Sequence, residues 1–115
     1  MKPEHFADTW EQGWNSHDLD QIMAHYRDDV VFRSRKAVPL TGQGEIQGKP
    51  ALRAYWQAAL DRQPDLKFRV QDVFAGHEMM VISYLNHRDV LAVETLYFDV
   101  DGAVYQSAAS HQVRP

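Results

Sequence analysis

Between Gly48 and Phe74 the hydrophobic period changes from that of a helix to that of a strand, and this switch limits the fold more than any other feature. From Pro50 the apolar residues fall at Leu52, Tyr55, Trp56, Ala59 and Leu60. That spacing places them on one face of a helix over about 50–62. Pro50 suits the first turn, where its missing N–H would have no partner anyway. Beyond Pro64, residues Leu66, Phe68, Val70 and Phe74 alternate with Lys67, Arg69 and Gln71. The pattern predicts a half-buried strand over 66–74 in an antiparallel sheet.

Upstream the chain is mostly helical. Phe6, Trp10 and Trp14 form one stripe of a helix over 5–14, with Gly13 weakening its end. Asn15-Ser16-His17-Asp18 breaks it, and Asp18 with Gln21 has the spacing of a capping box. Leu19, Ile22, Met23 and Tyr26 follow as the stripe of a second helix, and Val30 to Arg35 reads as the first strand. Residues 36–49 show no sustained period and read as an irregular loop, of the kind that forms a rim or lid. Gly42-Gln43-Gly44 lacks the third glycine and the preceding strand that a dinucleotide loop needs.

Downstream come strands over 79–86, 90–98 and 103–113, joined by turns at His87-Arg88-Asp89 and Asp99-Val100-Asp101-Gly102. The last carries the Asp-Gly hairpin signal. The expectation is one domain over 1–115 of the α+β class, with helices grouped on one face of a curved, mainly antiparallel sheet.

A chain of 115 residues buries roughly two-thirds of its unfolded surface and needs no staples. It has no cysteine, which excludes a disulfide scaffold and any thiolate ligand or nucleophile and is compatible with a cytoplasmic location. A net charge of -4 argues against nucleic acid and anionic membrane as partners, apart from any local basic patch. Residues 1–20 hold five acidic side chains and no apolar run, so neither a signal peptide nor a spanning helix is expected there. Three Trp, five Tyr and five Phe either fill a small core or line a cavity.

Strand parity selects candidate functional residues. Glu94 shares a face with Val90, Ala92, Leu96 and Phe98, where an unpaired carboxylate is costly. It is a candidate acid, base or orienting acceptor, against the alternative of a paired interior carboxylate. His111 shares a face with Tyr105, Ser107, Ala109 and Val113 and is a candidate acid or base, against a structural or surface role. Tyr84 and Asn86 lie with Met80 and Ile82 and are candidates to hold a carbonyl or hydroxyl. Arg33 is a candidate anion ligand or a solvent-facing arginine. Trp14, Tyr26, Phe32, Trp56 and Phe74 are candidate pocket walls or core, and Ser107 a candidate ligand contact. The six histidines are scattered without metal-ligand spacing, so no metal and no cofactor is expected.

Several phrases in order resemble the nuclear transport factor 2-like superfamily, in particular its SnoaL-like branch. They are Trp14-Asn15-Ser16-His17-Asp18-Leu19, Tyr26-Arg27-Asp28-Asp29-Val30-Val31-Phe32, Ile46-Gln47-Gly48-Lys49, and Tyr97-Phe98-Asp99-Val100-Asp101-Gly102-Ala103-Val104. The resemblance implies a cone of three helices wrapped by a bent sheet, with a pocket between them. It also implies a homodimer through the outer sheet face, where Leu91, Val93, Thr95 and Tyr97 lie. That superfamily includes polyketide cyclases, ketosteroid isomerases, epoxide hydrolases, dehydratases and binding domains, so fold transfers better than activity. Glu94 with Tyr84 or Tyr26 imitates the isomerase arrangement, and Arg33, Glu94 and Asp72 are candidates for the hydrolase one. Three functions follow as expectations: a cofactor-independent isomerase, cyclase or hydrolase acting on a small, largely apolar, oxygen-bearing molecule; a non-catalytic ligand-binding module; and a structural homodimer.

Overall fold

The computed structural model describes residues 2–114. Helix α1 (Pro3–Ser16) and the short α2 (Leu19–Met23) lead into strand β1 (Tyr26–Arg33). A 3-10 turn (Arg35–Ala37), α3 (Val38–Thr41) and β2 (Glu45–Gln47) precede α4 (Lys49–Arg62). Strands β3 (Arg69–Gly76), β4 (Met79–Leu85), β5 (Leu91–Phe98) and β6 (Val104–His111) complete the chain. Among the described residues, four helices thus pack on a six-stranded, mostly antiparallel sheet in the order β2-β1-β6-β5-β4-β3. Only the β1–β6 pair is parallel.

The two long helices form where the period predicts. Phe6, Trp10 and Trp14 of α1 and Leu52, Tyr55, Trp56 and Leu60 of α4 are buried. Gly13 serves packing: a Cβ there would stand 3.3 Å from Ile22 Cγ1, so its absence lets α2 close on α1. His17 ends α1 in the left-handed region (φ 57°), and Asp18 caps α2 by accepting the Gln21 N–H at 3.2 Å. Asn15 then clasps the approach to β3 with both ends of its amide. Its Nδ2 donates to Phe68 O at 2.9 Å and its Oδ1 accepts from Phe68 N at 2.7 Å. His17 Nε2 lies 2.9 Å from Leu66 O, and Glu11 accepts the Val70 N–H at 2.6 Å. These side chains occupy backbone groups along the edge of β3 that would otherwise lack a partner.

Four expectations are corrected. Tyr26 opens β1, pairing with Val104, because the second helix stops after Met23. The segment 36–49 is not irregular. Ser34 Oγ accepts the Lys36 N–H and starts the 3-10 turn, and Glu45–Gln47 pairs with β1. Phe74 faces outward, 55% exposed, because the β3–β4 register shifts between Val70 and Asp72 and reverses the parity beyond it. Phe68, Val70 and Val73 pack against the core instead. Tyr105 is likewise turned outward by a register shift in the β5–β6 pair, and the Arg27 guanidinium lies 5.6 Å from its ring centre.

The inner sheet face is ordered in rows across the strands. Val70, Tyr84, Ala92 and His111 are successive register partners, as are Val73, Ile82, Glu94 and Ala109. A third row runs Met80, Leu96, Ser107, Phe32 and Ile46. Trp56 of α4 meets Trp14, Tyr26 and Phe32 edge-on at 5.1–5.4 Å between centroids, closing the helical side over these rows. Such edge-to-face pairs are worth about 0.5–1.5 kcal/mol each beyond area burial.

Candidate active site

Ala92 stands between Tyr84 and His111 in the first row, and Ala109 stands beside Glu94 in the second. The short Ala109 side chain leaves space that the helices do not fill. The result is a cavity of about 90 Å³, which Ala109 lines. Trp14, Trp56, Phe32 and Phe68 form its apolar wall, and Tyr55, Tyr84, Glu94 and His111 are among its polar groups.

Glu94 is 5% exposed, and its Oε2 has no hydrogen-bond partner among the described residues. Burial pushes its carboxyl well above the usual carboxylate range, favouring the protonated form. His111 is half-buried, with Nδ1 buried and without a hydrogen-bond partner among the described residues. Burial, reinforced by the positive charges of Lys36 and Arg35, holds its imidazole down to about 4, so it is neutral at physiological pH. Burial also raises the phenols of Tyr84 and Tyr55, with the nearby Glu94 carboxylate adding to it. The site therefore presents a neutral carboxylic acid, a neutral imidazole and two phenols. This is a set able to give and take a proton without fixed charge.

The other selected residues divide by position. Trp14, Phe32, Trp56 and Asn86 line the cavity. The Asn86 carbonyl oxygen is already engaged, accepting the N–H groups of Arg88 at 2.9 Å and Val90 at 3.0 Å. Its amide N–H₂ is what it has to offer a ligand. Tyr26 and Ser107 are buried outside the cavity lining, and neither hydroxyl has a partner within hydrogen-bond geometry among the described residues. Burial raises the Tyr26 phenol, and the nearby Glu94 carboxylate adds to it. Arg33 points away from the cavity and binds Glu45 at 2.9 Å, because it alternates with the inward Phe32. Phe74, on the outer face, is no pocket wall. Asp72, the second carboxylate considered, is exposed on the edge strand and absent from the lining.

Sequence reasoning missed Ser34, Lys36 and His87, which also line the cavity. Ser34 shares the parity of Val30 and Phe32 in the strand read over 30–35, which could have singled it out, whereas Lys36 lies where no period was visible. The His87 imidazole is folded inward from the β4–β5 turn, with its Nε2 3.6 Å from Asp65. A turn histidine carries no sequence signal for that orientation. Tyr55 was legible as part of the apolar stripe of α4. Among the described residues, no group of three or more His, Asp or Glu could hold a metal ion. None of the helices is long and apolar enough to cross a membrane.

A family model described as SnoaL-like domain matches residues 7–109. A SnoaL-like protein of unknown function from Burkholderia thailandensis is 34% identical, with a TM-score of 0.90 over 96% of this chain and 94% of that one. A protein of unknown function with a cystatin-like fold from Methylobium petroleophilum is 17% identical. It has a TM-score of 0.73 over 97% of this chain and 76% of that one. The epoxide hydrolase/cyclase-like enzyme SalBIII, with a role in pyran ring formation in the polyether salinomycin, is 11% identical. Its TM-score is 0.75, over 96% of this chain and 91% of that one. No curated protein matches the sequence.

Proposed function

The chain belongs to the SnoaL-like family, and from that premise we propose that it is a cofactor-independent enzyme of the isomerase or cyclase type, enolising a small carbonyl compound. The observation that carries this reading is the joint placement of Glu94 and His111 on one cavity wall, both uncharged at neutral pH. The neutral imidazole of His111 takes the proton from the carbon next to the carbonyl. The Glu94 carboxyl gives its proton to the carbonyl oxygen, so an enol forms and no charge is left on the substrate. Collapse of the enol returns the oxygen proton to Glu94 while the imidazolium delivers its own to carbon, or the enol carbon attacks a second carbonyl carbon in the same molecule. In that case the enol oxygen returns its proton to Glu94, and the imidazolium protonates the alkoxide formed from the opened C=O bond. Tyr84 and Tyr55, both protonated, supply further donors for the developing negative oxygen. Among solved relatives, the description of SalBIII as epoxide hydrolase/cyclase-like is in keeping with such chemistry.

Size narrows the substrate. The cavity is smaller than the roughly 150 Å³ that accommodates benzene, but it is open at its mouth, so it encloses the reacting carbonyl end of a small molecule while the remainder extends outward. Proton exchange in D₂O tests the reading without knowledge of the natural substrate. Incubation with 2-butanone or 2-oxobutanoate should replace C–H by C–D faster than buffer does, followed by proton NMR, and Glu94→Gln and His111→Gln should each abolish the acceleration. Binding of these ketones with no enhanced exchange would leave the protein a ligand-binding module.

A further inference from the structure

Three cations gather at the cavity mouth in a chain whose net charge is -4. Lys36 lines the cavity itself. Arg35, Lys36 and His111 together line an adjoining groove that shares Lys36 and His111 with the cavity. Arg88 follows directly on Asn86 and His87 of the cavity lining, its charge lowering the Lys36 ammonium pKa. Elsewhere Arg27, Arg33, Arg53 and Arg69 each hold a carboxylate, while Lys49, Arg62 and Lys67 stand apart from one another without one among the described residues. Arg35, Lys36 and Arg88 hold none within 4.0 Å among the described residues. Of the acidic groups near them, Glu45 is occupied by Arg33. Asp65 stands exposed beyond His87, and Glu94 is buried in the cavity wall. Like charges left together at a concave mouth raise the local concentration of anions.

We infer that the molecule taken by this cavity is a short-chain organic acid, its carboxylate held at the mouth by Arg35, Lys36 and Arg88 and its uncharged oxygen turned inward toward Glu94. The assignment rests on the enolising cavity argued above and adds the class of substrate. It also accounts for a mismatch in that reading, since an imidazole held near 4 is a weak base. Part of that depression comes from the positive field of Lys36 and Arg35. A bound carboxylate offsets this smaller contribution and so strengthens His111 as a base in part, while burial, the larger cause, remains.

The test compares 2-oxobutanoate with 2-butanone, which have similar apolar ends and differ in the carboxylate. Trp14 and Trp56 line the cavity, so their fluorescence, or their indole N–H signals in NMR, report occupancy. The acid should bind roughly tenfold tighter than the ketone or better, about the contribution of one charge-assisted hydrogen bond. The advantage should shrink at high salt and fall away in Lys36→Gln combined with Arg88→Gln, two exposed positions where loss of folding is not expected. Equal binding of acid and ketone would overturn the inference and leave the enolising cavity intact. Inorganic phosphate competing as well as the acid would reduce the mouth to an unselective anion patch and overturn it too. No response to either compound would overturn both readings, whereas tight binding of the acid with no proton exchange would sustain the inference and defeat the enzyme.

Discussion

Glu94 and His111 lie on the same face of adjacent antiparallel strands, one row apart: Glu94 opposite Ala109, His111 opposite Ala92. Diagonal neighbours of this kind stand about 7–8 Å apart at the backbone, a span that a small molecule can bridge. Burial drives both to their uncharged forms, and it does so in opposite directions on the pH scale. The acid is raised and the base is lowered.

Glu94→Gln should therefore stabilise the protein while removing activity. The folded carboxyl is raised above its ordinary value of 4.5. The unfolded chain thus loses this proton first, and Glu94 costs stability increasingly as pH rises from 4.5 through its folded value. Thermal unfolding should show little difference between variant and parent below pH 4.5, and a gain of about 1–2 kcal/mol for the variant well above it. A variant no more stable at pH 8 than the parent would show that the carboxylate is not an electrostatic burden.

His111 acts with the other sign. Its folded value of about 4 lies below the ordinary 6.5, so the unfolded chain gains a proton first as pH falls. Its contribution is complete above 6.5 and is lost on acidification through 4. His111→Gln should flatten the decline of the melting temperature between pH 6.5 and 4. The half-exposed ring is partly screened, so the change should be modest.

Ala109→Val should fill the cavity beside Glu94 while leaving Glu94 and His111 themselves in place. Ligand-induced tryptophan fluorescence changes should fall at least tenfold, with the melting temperature shifted by only a few degrees. Unchanged binding would place the ligand elsewhere.

Asn15→Ala should remove both bonds between α1 and Phe68 and leave a backbone donor and acceptor without their partner. A loss of about 1–3 kcal/mol in urea unfolding is expected. Exchange protection should fall first at residues 66–70, next to the lost clasp.

Phe74→Ser and Leu96→Ala make a contrasting pair. Phe74 is on the outer face, and its replacement should stay within about 0.5 kcal/mol. Leu96 is fully buried in the central strand, and its truncation should cost about 2–5 kcal/mol.

Much of the fold was legible because it is written in local periods. The stripes of α1 and α4, the Asp18 cap and the alternation along β4 and β5 need no distant partner to be read, and Glu94 followed from that alternation. Phe74 and Tyr105 were misplaced for one shared reason. Phe74 lies beyond a register shift and Tyr105 within one, each set by the neighbouring strand, and a one-residue slip exchanges the two faces. The phrase around Asn15 and His17 was visible, but its work was not, because its partners Phe68 and Leu66 lie some fifty residues away.

By itself, then, the order of residues determined the helices, the strands and the candidacy of one unpaired carboxylate, since each depends on side-chain spacing along a single element. Only the tertiary structure decided that His111 stands beside Glu94 while Arg33 does not, and that Lys36 and His87 reach the same space. Those relations come from strand register and from how loops fold back on the sheet, where residues distant in sequence meet at ångström range.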